Sequence, residues 1–161
     1  MICIVDVHYE PDRVTAAAVG AEWTDEVATI EVVVRTPGPA ADYNPGAFYE
    51  RELPYLLAIL ERMPPVEVVV VDGYVWLGPD HPGLGWHLHH ARGGPVIGIA
   101  KTQFAGAISN DIIRGDSTRP LHITAIDYDP TAAAEHVRLM HGEHRIPTLV
   151  RRADALARGR Q

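Results

Sequence analysis

A β-branched segment at residues 66–71 stands at the centre of the hydrophobic pattern, with valine at five of its six positions. Such a segment is typical of a strand that is buried on both faces and runs parallel to a neighbour. It ends at Asp72, which is followed by a glycine- and proline-rich stretch that continues to residue 85. Ligands bind at the carboxyl ends of strands in open α/β sheets. Asp72 therefore has two interpretations, a functional carboxylate or a cap of the loop that follows it.

Three further β-rich segments precede the valine strand. Residues 2–9 form an apolar strand pattern that Asp6 interrupts, and residues 13–23 and 27–35 follow after short connections. Connections as short as these predict an antiparallel meander.

Helical periodicity begins at residues 47–63, where Leu53, Leu56, Leu57 and Leu60 share one face. Pro54 is expected to open the main part of this helix, because the missing N–H of a proline is harmless in a first turn. The rest of the pattern predicts helices at 84–92, 130–140 and 147–158 and strands at 95–100 and 121–127.

The order of these elements predicts an α/β fold with a mixed sheet, in which three antiparallel strands are followed by parallel strands and helices cover the faces. The same order occurs in the ribonuclease H-like fold, although a fold alone names no function. The loop at residues 36–46 is rich in Pro, Gly and Ala, but the part before it is too small to fold by itself. We therefore expect one domain over residues 1–161.

Composition and charge narrow the class of protein. Hydrophobic residues make up 47% of the chain and charged residues 22%, which is ordinary for a globular protein, and no apolar run is long enough to span a membrane. The single Cys3 and the absence of a secretory pattern predict a cytoplasmic location. The net charge of −7 argues against a wide basic surface for nucleic acid, but it is compatible with acidic groups that hold a cation.

Three carboxylates are expected to converge in a ribonuclease H-like fold: Asp6 in the first strand, Glu52 in the first helix and Asp72 after the valine strand. Asp6 could instead be a satisfied strand residue, and Glu52 could cap a helix N-terminus. A cluster of buried carboxylates is costly unless a cation compensates their repulsion. Oxygen ligands without a thiolate favour Mg²⁺ or Mn²⁺, which can activate water for an in-line phosphoryl displacement.

Aromatic and imidazole side chains near the glycine-rich stretch have bland and functional interpretations. His87 and His90 share a helix face that could hold a metal, but surface or core histidines are the favoured interpretation. Trp86 is expected in the core. For Trp76 two interpretations remain, packing within the protein and stacking on a base.

Several sequence blocks together make the chain resemble endonuclease V, the metal-dependent nuclease family that recognises inosine in nucleic acid. The blocks are Ile4-Val5-Asp6-Val7, Tyr43-Asn44-Pro45-Gly46 through Arg51-Glu52, Val71-Asp72-Gly73 with His81-Pro82 and Gly83-Leu84-Gly85, Ile97-Gly98-Ile99-Ala100-Lys101, and Gly142-Glu143-His144-Arg145-Ile146. A single short block would carry little weight, whereas consistent order and spacing over most of the chain make the resemblance specific.

The resemblance implies roles for individual residues. Asp6, Glu52 and Asp72 would be catalytic, metal-associated carboxylates, Lys101 would face the scissile phosphate or the nucleophilic water, and His144 would be a late site residue. The residues implied in substrate binding are Tyr43, Pro45 and Gly46 of a wedge loop, Gly73, whose backbone approaches the displaced base, and His81.

The family's HPR motif becomes His81-Pro82-Gly83 here, which removes an arginine. We expect an endonuclease that uses Mg²⁺, with Mn²⁺ as a substitute, and cuts near inosine or deoxyinosine in DNA or RNA. A monomer without membrane partners is expected. The alternatives are a nucleic-acid-binding homologue that cuts slowly or not at all, and a metal-dependent hydrolase of small nucleotides.

Overall fold

The computed structural model describes residues 1–39, 42 and 47–160. Its strands are β1 (Ile2–Glu10), β2 (Arg13–Ala21), β3 (Ile30–Pro37), β4 (Val68–Asp72), β5 (Trp76–Gly78), β6 (His81–Pro82), β7 (Val96–Ala100), β8 (Asn110–Ile112) and β9 (Leu121–Ile126). Its helices are α1 (Phe48–Leu60), α2 (Leu84–Arg92), α3 (Pro130–Leu139) and α4 (Thr148–Ala157).

A seven-stranded mixed sheet organises the protein, with the strand order β3-β2-β1-β4-β7-β9-β8. The first three strands form the predicted antiparallel meander. β4 lies between β1 and β7 and is parallel to both, and its four valines are buried, as expected for a central strand. β9 runs antiparallel to β7, so the parallel part of the sheet ends there.

Helices cover both faces of the sheet, and alternate residues of each strand pack on opposite sides. In β1, Ile2 and Ile4 belong to the apolar cluster under α3 and α4. The intervening Cys3 and Val5 belong to the cluster under α1 and α2. Asp6 follows the even-numbered pattern and therefore lies on the α4 side of the sheet.

One prediction about α1 is wrong. The helix begins at Phe48, so Pro54 lies inside it rather than in its first turn. Proline removes one hydrogen bond to the carbonyl four residues earlier. Pro54 lies on the exposed side of the helix, where water can bond that carbonyl.

Short strands were not predicted. β8 has three residues, and the hairpin of β5 and β6 has strands of three and two residues. Segments of this length contain too few positions to show an alternating pattern. Within the described residues, no helix has the length and apolar character needed to cross a bilayer.

Candidate active site

Two aspartates meet where β1 and β4 run side by side. The parallel register pairs Val5 with Val71, so Asp6 and Asp72 occupy the next matching positions. Side chains at matching positions of parallel neighbours point to the same face, about 5 Å apart at the backbone. Both carboxylates line one cleft of about 460 Å³.

Two helices bring further carboxylates to this cleft. Glu52 comes from α1 and is buried, with 9% of its surface exposed. Asp154 comes from α4, which packs against β1 and β2, and its half-buried side chain also lines the cleft. The structure therefore brings together the three predicted carboxylates and adds Asp154.

Burial and mutual repulsion disfavour ionisation of two of these groups. Burial raises the pKa of Asp6 to about 7, and the neighbouring charges of Asp72 and Asp154 act in the same direction, against Lys101. Burial also raises the pKa of Glu52 to about 8, reinforced by Asp6 and Asp72. A cation bound in the cleft would favour the ionised forms of both.

Two basic side chains neutralise part of the acidic charge. Lys101 follows β7, and its Nζ lies 2.5 Å from Oδ2 of Asp72. The guanidinium of Arg158 donates from Nε to Oδ1 of Asp154 at 2.8 Å. In the described part of the chain, Asp6 and Glu52 form no salt bridge, so neither acid has a basic side chain bonded directly to it.

The donor set fits a hard cation that keeps part of its water shell. Across residues 1–39, 42 and 47–160, no three His, Cys, Asp or Glu groups lie close enough to hold one ion directly. Mg²⁺ usually retains several waters and binds one or two carboxylates. Asp6 and Asp72, adjacent on parallel strands, could bind such an ion directly, with Glu52 and Asp154 reaching it through water.

A second, more apolar cavity of about 230 Å³ adjoins the acidic cleft. Its lining residues are Phe48, Tyr49, Gly73, Tyr74, Leu77, Pro82, Gly83, Leu84 and Phe104. Phe48, Gly73 and Tyr74 also line the acidic cleft. Gly73 has a φ of +132°, which a side chain would strain, and a Cβ placed there would have no atom within 4 Å. Backbone conformation, not packing, therefore requires a glycine at the boundary of the two spaces.

The rim of the second cavity includes residues after β7. Tyr74 donates its hydroxyl to the Thr102 carbonyl at 2.9 Å, and the same oxygen accepts a bond from the Phe104 N–H at 3.1 Å. These bonds fix the segment that follows Lys101. The exposed His81 packs edge-on against Phe104, with ring centroids 6.1 Å apart, and so lies at the rim rather than inside.

The structure does not bring His144 to the acidic cleft. Its side chain is exposed, and its backbone carbonyl accepts a bond from Arg114 at 2.8 Å. Asp154, ten residues later, lines the cleft instead. A signal for it exists in the sequence, because Val150, Ala153 and Ala157 form the buried face of α4 and Asp154 adjoins that face.

Within the block at residues 142–146, Arg145 is the residue whose side chain contacts the backbone of a site residue, Lys101. The Arg145 guanidinium donates to the carbonyls of Lys101, Arg119 and Pro120. The neighbouring Arg114 is buried and donates to the carbonyls of Arg138, Met140, Gly142, His144 and Arg145. Together these bonds hold the connection between α3 and α4 against the end of β7, and so position Lys101 and Asp154 relative to each other.

The remaining predictions have mixed outcomes. Tyr43, Pro45 and Gly46 lie outside the described residues. Trp76 and Trp86 are half-buried and pack edge-on against each other. His87 stacks on Tyr49, with centroids 3.4 Å apart, and His90 stacks on Trp86 at 3.6 Å. These rings pack against one another.

The mixed sheet and the acidic residues at its centre define a protein of the ribonuclease H-like fold with a candidate hydrolytic cleft. A family model for Endonuclease V matches residues 1–128, and the chain belongs to that family. Endonuclease V of Streptomyces avermitilis is 33% identical over 182 aligned residues, covering 96% of this chain and 77% of that protein.

Solved structures agree with this assignment. The crystal structure of the Streptomyces avermitilis protein has a TM-score of 0.77 and 29% identity, covering 98% of this chain and 79% of that one. Ciona intestinalis endonuclease V, solved with a 24mer DNA containing an inosine followed by a ribo-adenosine, has a TM-score of 0.82 at 17% identity. That match covers 98% of this chain and 84% of that one, and at this identity it shows the fold alone.

Proposed function

We propose that this protein is a metal-dependent endonuclease that hydrolyses a phosphodiester bond near inosine or deoxyinosine in nucleic acid. The observation that carries the proposal is the position of the acidic cleft beside an apolar cavity, with Gly73 bordering both. Family membership supports the nuclease class.

The acidic residues have distinct roles in this proposal. Asp6 and Asp72 would hold Mg²⁺ or Mn²⁺, and Glu52 and Asp154 would orient its bound waters. Such an ion would supply Lewis-acid activation of water and stabilise charge on the phosphate. When ionised, these carboxylates would attract a cation, and the bound cation would offset the repulsion between the acidic cleft and a phosphate.

Lys101 is the basic group placed to meet the substrate. Its ammonium lies against Asp72 in the free protein and is more than one-third exposed, so it is accessible from the cleft. Turning toward a phosphate oxygen would place a positive charge where negative charge develops during hydrolysis. The Arg145 guanidinium donates to the Lys101 carbonyl and would hold the backbone of Lys101 in place while its side chain turns.

The apolar cavity would receive the displaced base. Enzymes that read a base outside the stack hold it between aromatic or apolar side chains. Phe48, Tyr49 and Phe104 supply such walls, and the backbone at Gly73 is exposed to the same space. The Ciona intestinalis endonuclease V was solved with inosine-containing DNA, and membership of the Endonuclease V family is the reason to propose the same class of substrate for this chain.

The direct test is cleavage of matched oligonucleotides that contain inosine or adenosine, as DNA and as RNA, with Mg²⁺, with Mn²⁺ and with EDTA. Asp72→Asn should abolish cleavage, because it removes a charge at constant size. Asp25→Asn, in the connection between β2 and β3, is the matched control and should cut like the wild type.

Metal-dependent cuts near inosine that disappear in Asp72→Asn would support the proposal. Binding of the oligonucleotides without cleavage under every metal condition would favour the non-catalytic homologue. Hydrolysis of free nucleotides with intact oligonucleotides would favour the small-nucleotide hydrolase.

A further inference from the structure

The strand β3 forms one edge of the seven-stranded sheet, and in the described part of the chain no strand lies beyond it. It is eight residues long and contains three consecutive valines, Val32, Val33 and Val34, all half-buried. Long apolar edge strands pair readily with other strands unless their sequence prevents it. The edge is therefore a candidate surface for association.

The backbone register shows which residues of β3 offer free hydrogen-bonding groups. The pairing with β2 is continuous, from Arg13 opposite Pro37 to Gly20 opposite Ile30. Directly beyond it the Gly38 N–H donates to the Asp12 carbonyl at 2.8 Å, in the same register. Hydrogen-bonded pairs alternate along an antiparallel ladder, so even-numbered residues face β2.

The odd-numbered residues Glu31, Val33 and Arg35 therefore direct their N–H and C=O groups away from the sheet. Pro37, the next odd-numbered residue, has no N–H and ends this set. The free edge thus consists of three consecutive outward-facing residues with Val33 at the centre.

The side chains of this edge are complementary to themselves. When two copies of β3 pair antiparallel with Val33 opposite Val33, Glu31 of one copy lies opposite Arg35 of the other, and the reverse pair forms by symmetry. Arg35 is exposed and has no salt bridge in the described residues, whereas Glu31 already bonds Arg152 from α4 at 2.7 Å. Opposite charges directly across two strands stabilise their pairing.

The other face of the same pairing is apolar. Val32 and Val34 pack against the cluster under α1 and α2. In the Val33-centred register, Val32 of one copy lies opposite Val34 of the other, so the apolar layer continues from one sheet into the next. One register therefore pairs the opposite charges on one face of the joined sheet and the valines on the other. A two-fold axis relates the two copies, so the same surface of each copy forms the interface.

We propose that β3 is a homodimerisation edge, which joins two copies of this chain into one continuous sheet through an antiparallel pair centred on Val33. The partner is a second copy because the charge pattern is complementary under a two-fold axis. This replaces the expected monomer, and it is independent of the function proposed for the cleft.

Light scattering after gel filtration, over a range of concentrations of the full chain, tests the proposal. The wild type should change from the mass of one chain to twice that mass as concentration rises. Arg35→Glu should remain monomeric, because it places two acidic residues opposite each other on both sides of the axis. Glu31→Arg should also remain monomeric, because it places arginines opposite each other.

The two variants are expected to restore association when they are mixed. Arg35→Glu carries acids at both positions and Glu31→Arg carries arginines at both, so the mixed pair is complementary. Native mass spectrometry distinguishes the mixed dimer from either variant alone. Arg62→Glu, beyond α1 on the opposite face of the sheet, makes the same change of charge as Arg35→Glu and should dimerise like the wild type.

Val33→Pro supplies a second readout, because it removes an outward-facing N–H that has no partner within the sheet. Thermal melts show whether each variant is folded before its mass is interpreted. A wild type that stays monomeric at every concentration would overturn the proposal. So would dimers that persist in both Arg35→Glu and Glu31→Arg.

Discussion

The ammonium group of Lys101 lies 2.5 Å from the Asp72 carboxylate, so a cation of the protein already occupies the acid that ends the central strand. A metal ion at Asp72 and the lysine compete for the same oxygen. Lys101→Met should therefore tighten binding of Mn²⁺, measured by calorimetry, while cleavage of an inosine oligonucleotide falls by about 100-fold or more. Weaker Mn²⁺ binding together with lost cleavage would show that the lysine serves only to hold the site together.

Substitutions of Asp154 and of His144 are expected to have opposite outcomes for cleavage. Asp154 lines the acidic cleft, so Asp154→Asn should lower metal affinity or cleavage by about 10- to 100-fold. The exposed side chain of His144 lies elsewhere, and His144→Ala should change the free energy of unfolding by no more than about 0.5 kcal/mol, with cleavage unchanged. Cleavage rates and thermal melts of the two variants check this. The roles would be reversed if only the histidine variant lost activity.

The Tyr74 hydroxyl holds the segment after Lys101 through Thr102 and Phe104. Tyr74→Phe removes only that oxygen. Amide exchange of Phe104 should become faster, and KM should rise more than kcat falls, because the rim of the apolar cavity loosens while the acids remain in place. The expected loss of folding stability is about 1 kcal/mol.

Tyr128→Phe is the matched control for this variant. Its hydroxyl pairs with His136 at 2.8 Å, outside both cavities. It should cost a similar amount of stability without a change in KM. Equal kinetic effects of the two variants would mean that Tyr74 contributes only to general stability.

The metal-free protein should lose stability as pH rises. The pKa values of Asp6 and Glu52 are raised to about 7 and about 8 in the folded state. In the unfolded chain both carboxyl groups have a pKa of about 4. Below the unfolded values both states are protonated and the full stability is present. As pH rises from the unfolded values through the folded ones, the unfolded chain releases protons that the folded protein keeps, so stability falls, and the loss is complete above the folded values.

Melting temperatures in EDTA between about pH 5 and pH 9, a window that spans both folded values, measure this effect. Asp6→Asn should flatten the dependence, because the amide cannot ionise, and saturating Mg²⁺ should also flatten it in the wild type. Subtracting the variant from the wild type removes the contribution of the histidines. Identical slopes in the two proteins would contradict the raised pKa of Asp6.

The parts of the fold that the sequence predicts are those with a long hydrophobic pattern. The valine strand, the meander and α2 lie where the pattern places them, because burial on two faces or on one stripe leaves a periodic trace. β8 has only three residues and leaves no periodic pattern in the sequence. The position of Pro54 was predicted wrongly because the free-energy cost of a proline inside a helix depends on whether water can bond the carbonyl four residues earlier. The tertiary structure decides whether that carbonyl is exposed.

The residues of the site that lie in or at the ends of strands could be predicted from the sequence. Asp6 and Asp72 interrupt or end apolar strands, so their convergence follows from the order of elements. Asp154 was not predicted because it lies beside buried alanines on a helix whose position depends on the hydrogen bonds of Arg114, which is far away in sequence, as well as on those of Arg145 just before the helix. His144 was predicted only because its sequence block resembles that of the family, whereas the neighbouring Arg145 makes the contacts with the end of β7.

Gly73 and Tyr74, the first residues after β4, line both the acidic cleft and the apolar cavity. If a base occupies one space while a phosphate occupies the other, the main chain after β4 sets the offset between them. Side-chain changes in either space would then alter which base is accepted or how fast the bond is broken. The cut would stay at the same nucleotide step, and only a longer or shorter backbone at this point would shift it along the strand.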